Sequence, residues 1–237
     1  MTGAQKAGGG LFVTGTDTGV GKTVLVAAIV AALRARDVGV TALKPLITGL
    51  DERSDPDWPP DHELLARTAG CAPDEVALLG FGPPVSPHLA AELVGHPINP
   101  TVLLDRVRSA RNGHDELIVE GVGGLLVPIT RDFDVRRFAA ELGLPLLIAA
   151  RPGLGTINHT LLTLEAARAA GLEPIAVVLT PWPADPDEIE RSNRATIEDR
   201  GDVPVFTLPV VERPEPELLA RAGAALPLDR WLGRSLR

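Results

Sequence analysis

Short apolar runs alternate along the chain with segments of helical length. The runs contain few polar residues, which is typical of strands covered on both faces of a parallel sheet. The predicted strands are residues 11–15, 38–43, 116–119, 144–150, 174–180 and 203–208. The predicted helices are residues 22–36, 61–69, 99–111, 134–142, 157–170 and 187–200. This repeated order predicts an α/β fold, a doubly wound and mostly parallel sheet with helices on both faces.

Neither an internal repeat nor a long linker divides these elements. We therefore expect residues 11–237 to form a single domain, preceded by a disordered lead-in at residues 1–10. The one break in composition is the acidic, proline-rich stretch DERSDPDWPP at residues 51–60, which must be a loop. A solvated surface is the simpler interpretation of this loop, and a mobile lid beside a ligand is the alternative.

Composition narrows the classes of function. The 237 residues are 45% hydrophobic and 23% charged, which predicts a globular protein with a sizeable core. A net charge of -8 argues against nonspecific binding of nucleic acid. The single cysteine, Cys71, excludes an internal disulfide framework and fits a reducing cytosol. No apolar run reaches the ~18 residues of a membrane span, and MTGAQKAGGG lacks the apolar core of a signal peptide, so we expect a cytoplasmic protein.

The stretch GTDTGVGKT, residues 15–23, lies between the first predicted strand and the first predicted helix. Backbone N–H groups of a glycine-rich turn can point at a phosphate, and Lys22 and Thr23 supply a cation and a hydroxyl for Mg²⁺. The pattern is imperfect, because Thr16 stands where the first glycine is expected. We nevertheless predict a nucleotide site. Its members are Gly19, Val20, Gly21, Lys22 and Thr23.

Two further strand ends carry candidate residues. In ALKPLITG, residues 42–49, Lys44 follows the second strand, and Thr48 lies in the loop beyond it. A lone lysine there is usually solvated, but a second cation beside Lys22 suggests a strongly anionic ligand or intermediate. In LIVEGVGGLLVP, residues 117–128, Glu120 ends a buried strand and could bind Mg²⁺, whereas a structural Glu120 would need a nearby cation. Open α/β sheets bind ligands at this edge.

Glycines follow both Glu120 and the fourth predicted strand. Gly121 and Gly123 would let the backbone approach a ligand closely. The stretch PGLGTINHTLL opens a helix, and its N–H groups at Gly155 and Thr156, together with Asn158, suit a carboxylate. The five histidines, at positions 62, 88, 96, 114 and 159, show no metal-ligand spacing, and structural or surface roles are favoured for them.

Together these stretches resemble the dethiobiotin synthetase family of the P-loop NTPase superfamily over roughly residues 11–210. The segments that carry the resemblance are FVTGTDTGVGKT, LKPLITG, SPH, VEGVGGLLVP and GTINHTLLT. The resemblance implies a Mg-nucleotide-dependent ring closure on 7,8-diaminononanoate. One amine takes up CO2 to give a carbamate, the carbamate attacks the γ-phosphate to give a carbamic-phosphoric anhydride, and the second amine closes the ring and expels phosphate.

The resemblance also implies roles for individual residues. It places Mg²⁺ at Thr23, Asp61 and Glu120, with Asp17 as a possible further ligand through water, although a helix N-cap is the structural alternative for Asp61. Catalytic roles fall to Lys22, Lys44 and Thr18, and substrate contacts to Thr48, Gly121, Gly123, Gly155, Thr156 and Asn158. Because the family takes the 155–158 segment from the neighbouring subunit, a homodimer with the substrate site at the interface is implied.

The sequence differs from the family pattern at the position expected to contact the nucleotide base. It places Thr180 and Pro209 at the nucleotide site, but the family pattern has an adenine-reading asparagine where this chain has Thr180. The base preference is therefore open.

The competing class is a dimeric nucleotide-dependent switch ATPase of the same fold branch. Such switches normally carry an additional lysine early in the loop, where this chain has Thr16. A corrinoid amidase is a further alternative, but the chain is too short for the glutaminase domain that those enzymes need.

Overall fold

The computed structural model describes residues 9–52, 56–111 and 116–233 of the chain. Its strands are β1 (Gly10–Gly15), β2 (Val40–Leu43), β3 (Leu46–Ile47), β4 (Leu79–Gly80), β5 (Glu116–Glu120), β6 (Pro128–Thr130), β7 (Phe133–Asp134), β8 (Leu146–Ala150), β9 (Pro174–Trp182) and β10 (Val205–Pro209). Its helices are α1 (Lys22–Arg34), α2 (Asp61–Ala69), α3 (Pro73–Val76), α4 (Pro87–Val94), α5 (Pro100–Ser109), α6 (Val135–Leu142), α7 (Thr156–Ala169), α8 (Glu188–Gly201), α9 (Pro216–Gly223) and α10 (Leu228–Trp231).

Six strands form one sheet in the order β10-β9-β8-β1-β5-β2, and every neighbouring pair is parallel. Because the strands are parallel, their carboxyl ends meet at one edge. The chain reverses its direction of winding at β1, whose neighbours are β5 and β8. Ligand sites of open α/β sheets lie at such a switch point. The loops that follow β1, β2 and β5 lie at this edge and are therefore the expected place for a ligand.

Both faces of the sheet are covered. Leu11 and Val13 of β1 point into one hydrophobic cluster, which contains most of α1, while Phe12 points into a second cluster with residues of α5 and α6. Successive side chains of a strand lie on opposite faces, so a strand buried on both sides must be apolar throughout. This confirms the predicted doubly wound fold with helices on both faces.

The two carboxyl-terminal helices pack against α1 and β10. A Cβ atom built on Gly223 of α9 would lie 2.1 Å from the carbonyl oxygen of Ala28, so only glycine allows this approach. Trp231 of α10 meets Phe206 edge to face, with ring centroids 5.3 Å apart. The first contact places α9 against α1, and the second places α10 against β10.

Several predicted boundaries shift by one to three residues. The second strand begins at Val40, because α1 ends at Arg34 and Asp37 takes a left-handed conformation with a φ of 58°. Helix α8 begins after Asp187, whose carboxylate accepts a hydrogen bond from the N–H of Glu190 while the Glu190 carboxylate accepts one from the N–H of Asp187. This reciprocal capping fixes the first turn of α8.

Other parts of the prediction fall partly outside the described residues. Residues 1–8 of the lead-in predicted at residues 1–10 lie outside the described residues, and Gly10 belongs to β1 rather than to a lead-in. The predicted loop at 51–60 is described except for residues 53–55. The single domain over residues 11–237 stays a prediction. Among the helices within the described ranges, none has the length and hydropathy to cross a membrane.

Candidate active site

The loop after β1 forms the floor of the site. Gly19 and Gly21 have φ angles of 68° and 86°, a left-handed region that favours glycine. Gly21 occupies the N-cap of α1, where no side chain of the described residues caps the helix. Lys22 lies over the loop, and its Nζ donates a hydrogen bond to the carbonyl oxygen of Asp17 at 2.8 Å. The loop thus presents a cation and a helix amino terminus, the two features that bind phosphate.

A cavity of about 930 Å³ opens above this loop. It gathers predicted residues from four separate stretches of the chain. These are Thr18, Gly19, Gly21, Lys22, Thr23, Lys44, Thr48, Asp61, Glu120 and Gly123. The parallel sheet explains the meeting, because the loop after β1, Lys44 after β2 and Glu120 at the end of β5 lie at the same edge.

Lys44 is the centre of a polar cluster within this cavity. Its Nζ donates to Glu120 Oε1 at 2.8 Å and forms an ion pair with the Asp61 carboxylate. The Thr23 hydroxyl donates to the same Glu120 oxygen at 2.9 Å. Lys44 and Glu120 are only 7% and 1% exposed, so each needs the opposite charge that the other supplies.

Burial and charge pairing shift the ionisation of this cluster. Burial raises the pKa of Glu120, and the nearby Lys44 charge only partly opposes this shift. Burial also acts to raise the pKa of Asp61, but the charge and hydrogen bond of Lys44 outweigh it and hold that pKa below its usual value. For Lys44 the two carboxylates outweigh burial, so its pKa is raised. Lys44 is therefore a fixed cation.

Lys22 behaves differently from Lys44. Burial lowers the pKa of Lys22 to about 8, and the Glu120 charge offsets this only in part. The Lys44 charge lowers it further. A neighbouring anion stabilises the charged form of a buried ammonium and so raises its pKa. The loop lysine is thus set to pair with an anionic ligand.

The oxygen atoms around Lys44 could hold a hard cation. Glu120 Oε2 is buried and has no hydrogen-bond partner among the described residues. The Asp61 carboxylate and the Thr23 hydroxyl lie beside the same glutamate. The described residues contain no group of three or more His, Cys, Asp or Glu side chains that could hold a metal by themselves. Two carboxylates and a hydroxyl suit an ion that takes its other ligands from phosphate and water.

Three of the predicted residues do not line the large cavity but lie in the loops that form it. Val20 is 1% exposed and packs into the hydrophobic core under the loop. Gly121 does not line the large cavity, and a Cβ there would lie 3.1 Å from atoms of Phe12 and Val135. Close packing against side chains is a sufficient reason for the glycine at 121, and its contact with substrate stays a prediction. Asp17 also lies outside the large cavity, although its carbonyl accepts the bond from Lys22.

The predicted carboxylate site lies outside the cavity of its own chain. Gly155, Thr156 and Asn158 begin α7, and none of them lines the cavity. Asn158 is exposed, whereas the Thr156 hydroxyl is buried and lies 3.4 Å from the Thr160 hydroxyl. The N–H of Thr156 donates to the Gly153 carbonyl, so it is not free as predicted. Gly155 and Asn158 are both exposed, and Asn158 is the one of the two with a polar side chain.

The predicted nucleotide residues Thr180 and Pro209 also lie outside the cavity. Thr180 is 1% exposed and packs against the phosphate loop, where its Oγ1 lies 3.2 Å from a Cβ built on Gly21. Pro209 ends β10, is exposed, and pairs in register with Trp182. The Thr180 side chain thus supports the loop backbone.

The structure adds residues that sequence reasoning missed. Glu52 and Trp58 of the 51–60 loop, together with Val85 and Ser86, line the cavity without having been named as site residues. Arg151 follows β8 and donates to the Thr18 carbonyl at 3.0 Å. A cation directly after a strand was the signal that identified Lys44, and it was equally present at Arg151.

Fold and site together define a P-loop NTPase. A family profile described as AAA domain matches residues 9–215. Proteins named ATP-dependent dethiobiotin synthetase BioD are similar over most of the chain. The relative from Anaeromyxobacter sp. (strain Fw109-5) is 44% identical over 72% of this chain and 75% of its own length. The relative from Rhodococcus erythropolis is 40% identical over 83% and 86%, and that from Anoxybacillus flavithermus is 36% identical over 83% and 89%. The chain belongs to the dethiobiotin synthetase family.

A solved structure supports the fold only. The ATP complex of a McdA variant from Cyanothece aligns with a TM-score of 0.56 at 13% identity, covering 98% of this chain and 99% of that one. Such a likeness does not carry function. It therefore does not favour the switch interpretation over the synthetase interpretation, which the sequence relatives support.

Proposed function

We propose that this protein is a dethiobiotin synthetase, an ATP-dependent cyclo-ligase that joins CO2 to 7,8-diaminononanoate and closes the ring. The observation that carries the proposal is the joint placement of the phosphate loop, Lys44 and Glu120 around one cavity, in a chain 36–44% identical to named synthetases. The products are dethiobiotin, a nucleoside diphosphate and phosphate.

The two cavity lysines provide the charge that this reaction needs. The carbamate, the transferred phosphoryl group and the departing phosphate are all anionic, so catalysis is mainly positioning and charge stabilisation. Lys22 would bind the phosphates and Lys44 the carbamate and the group transferred to it. Thr18 and Thr48 line the same cavity and would donate hydroxyl hydrogen bonds. Gly123 allows the backbone to turn there with a φ of 61°.

The oxygen donors around Lys44 support a Mg²⁺ site. Thr23, Asp61 and Glu120 would hold the ion, with Asp17 as a weaker candidate through water. Bound Mg²⁺ neutralises charge on the nucleotide phosphates. The buried, unpartnered Glu120 Oε2 is the feature of this chain that fits such an ion.

A homodimer completes the proposal. The 155–158 segment lies outside the cavity of its own chain, and Asn158 is exposed. A substrate carboxylate bound in this cavity would therefore meet the Asn158 of a second subunit. Leu154, which is 96% exposed, and Leu162, which is 56% exposed, lie beside the segment and would be covered by such an association.

Phosphate release tests the proposed reaction directly. With Mg-nucleotide present, we expect full turnover only when both diaminononanoate and bicarbonate are added. A switch ATPase would release phosphate without either compound. Equal rates with and without the two substrates would therefore contradict the synthetase proposal.

A subunit-mixing experiment tests the shared site. Assayed at diaminononanoate well below its KM, Lys44→Ala and Asn158→Ala should each be nearly inactive, because one lacks the cavity cation and the other the partner contact. Unfolded and refolded together at 1:1, they should recover about a quarter of wild-type activity, since half the dimers are mixed and each has one intact site. A mixture no more active than its two components would contradict a site shared between subunits.

Base selectivity gives a further prediction. An asparagine offers a donor and an acceptor side by side, and on DNA such paired contacts discriminate by ~1–3 kcal/mol. Thr180 has one hydroxyl, it packs against Gly21, and Pro181 has no N–H to replace the lost donor. We expect kcat/KM for CTP and GTP to be comparable to that for ATP.

The measurement compares the four nucleoside triphosphates at saturating diaminononanoate and bicarbonate. Thr180→Asn is the companion variant and should shift the preference toward ATP. A preference of the unchanged protein for ATP above about a hundredfold would show that another residue reads adenine.

A further inference from the structure

Ser86 and His88 form a hydrogen-bonded pair at the start of α4. Ser86 Oγ lies 3.0 Å from His88 Nδ1, so in the tautomer protonated at Nε2 the hydroxyl donates to the imidazole. Serine at an N-cap ordinarily accepts an N–H bond from the first turn of its helix. Ser86 makes no such side-chain bond within the described part of the chain. The Ser86 hydroxyl is instead hydrogen-bonded to the His88 imidazole.

The pair connects two cavities. Ser86 lines the 930 Å³ cavity that holds Lys22, Lys44 and Glu120. His88 lines a separate cavity of about 490 Å³ between α4 and the turn joining β6 and β7. The charged groups that line this second cavity are Glu92 of α4 and Arg131 and Asp132 of the turn. Glu92 and Arg131 form an ion pair with each other, and His88 is half-buried.

The proposed reaction, on which this inference rests, must remove protons from the substrate amines. An ammonium cannot attack CO2, and each nitrogen that forms a bond to carbon loses a proton. The cavity carboxylates in the described residues are poorly placed to accept it. Asp61 and Glu120 are paired with Lys44, and Glu52 is exposed at the rim. Imidazole is the side chain that exchanges protons near neutral pH.

We propose that Ser86 and His88 form a proton relay that takes the proton from a substrate amine. As the amine nitrogen bonds to carbon, its proton passes to Ser86 Oγ while the Ser86 hydroxyl proton passes to His88 Nδ1. His88 becomes an imidazolium and then releases the Nε2 proton on the side of the second cavity. Ser86 touches the substrate, and His88 acts through it.

The test uses His88→Gln, His88→Ala and Ser86→Ala in the full-length protein with diaminononanoate, bicarbonate and Mg-nucleotide. General-base catalysis contributes ~10²–10⁴-fold, so we expect His88→Gln to lower kcat by about 10²-fold at neutral pH. The loss should shrink as the pH rises, because the amine then loses its proton without help. Free imidazole should restore His88→Ala through the second cavity but should not restore Ser86→Ala.

His96→Gln is the matched control, because His96 is exposed beyond the end of α4 and lines neither cavity. It should match the wild type, and thermal unfolding should show each variant folded. A His88→Gln rate within threefold of wild type would overturn the relay. So would a loss that is independent of pH and not restored by imidazole, or a Ser86→Ala variant with full activity. A wild-type protein that does not need diaminononanoate would instead overturn the proposed function itself.

Discussion

Lys44→Ala is expected to lower kcat by about 10²–10³-fold, because a fixed donor or cation at developing negative charge contributes on that scale. Lys44 is buried, charged and held in place by Glu120 and Asp61, so it needs no rearrangement before the reaction. Its effect should fall on kcat more than on the KM for nucleotide, since in the proposed reaction Lys22 and the loop backbone would bind the phosphates. Steady-state kinetics of phosphate release and dethiobiotin formation provide the measurement.

The variant also removes the partner of a buried carboxylate. Loss of one member of a buried ion pair is destabilising by ~3–5 kcal/mol, so a drop in activity must be separated from unfolding. Lys44→Met keeps the side-chain length and should show the same kinetic loss, with thermal unfolding and nucleotide binding measured alongside. Arg36→Ala removes an exposed cation and should change little. A folded Lys44→Ala enzyme within threefold of wild type would remove Lys44 from the mechanism.

Removing the carboxylate from the substrate is expected to weaken its binding strongly. Nonane-2,3-diamine has the same chain and the same amines as diaminononanoate but lacks the carboxylate. Hydrogen bonds to a charged group contribute ~1.5–3 kcal/mol, so we expect this diamine to bind about ten- to a hundredfold more weakly. Calorimetric titration of each diamine into the nucleotide-bound protein measures the difference.

Asn158 should account for much of this difference. In Asn158→Ala the two diamines should bind with nearly equal affinity, because the variant removes the outward-facing group at the start of α7. Thr163→Ala is the control on the same helix, where the Thr163 hydroxyl donates to the backbone carbonyl of His159. Equal affinity of the unchanged protein for both diamines would contradict a carboxylate site at Asn158.

Most of the fold could be predicted from short stretches of the sequence. The phosphate loop could be recognised because its glycines, lysine and threonine are consecutive and their roles depend on backbone geometry over a few residues. The apolar runs predicted six parallel strands because a strand covered on both faces has no solvent side for polar residues. Lys44 and Glu120 could be placed at one edge for the same reason, since Lys44 directly follows one strand of that sheet and Glu120 ends another.

Weak local signals explain the elements that were missed. The pairs β3 with β4 and β6 with β7 have strands of two or three residues, too short to show a period. The helix α9 is held against α1 by a close approach at Gly223, which is a property of two distant segments. A glycine fitted to a partner helix looks the same in the sequence as a glycine in a turn.

By itself, the sequence of this protein determined the strand, glycine-rich loop and helix at residues 10–34, the parallel sheet and the residue types at its edge. Tertiary structure decided which of those residues touch. Lys44 meets Asp61 and Glu120, 17 and 76 residues away, and Ser86 joins two cavities through His88. Only packing brings the 155–158 segment to the surface, outside its own cavity. The periodicity of a strand or helix depends on residues that are close in the sequence. Contacts between distant side chains depend on how whole elements pack.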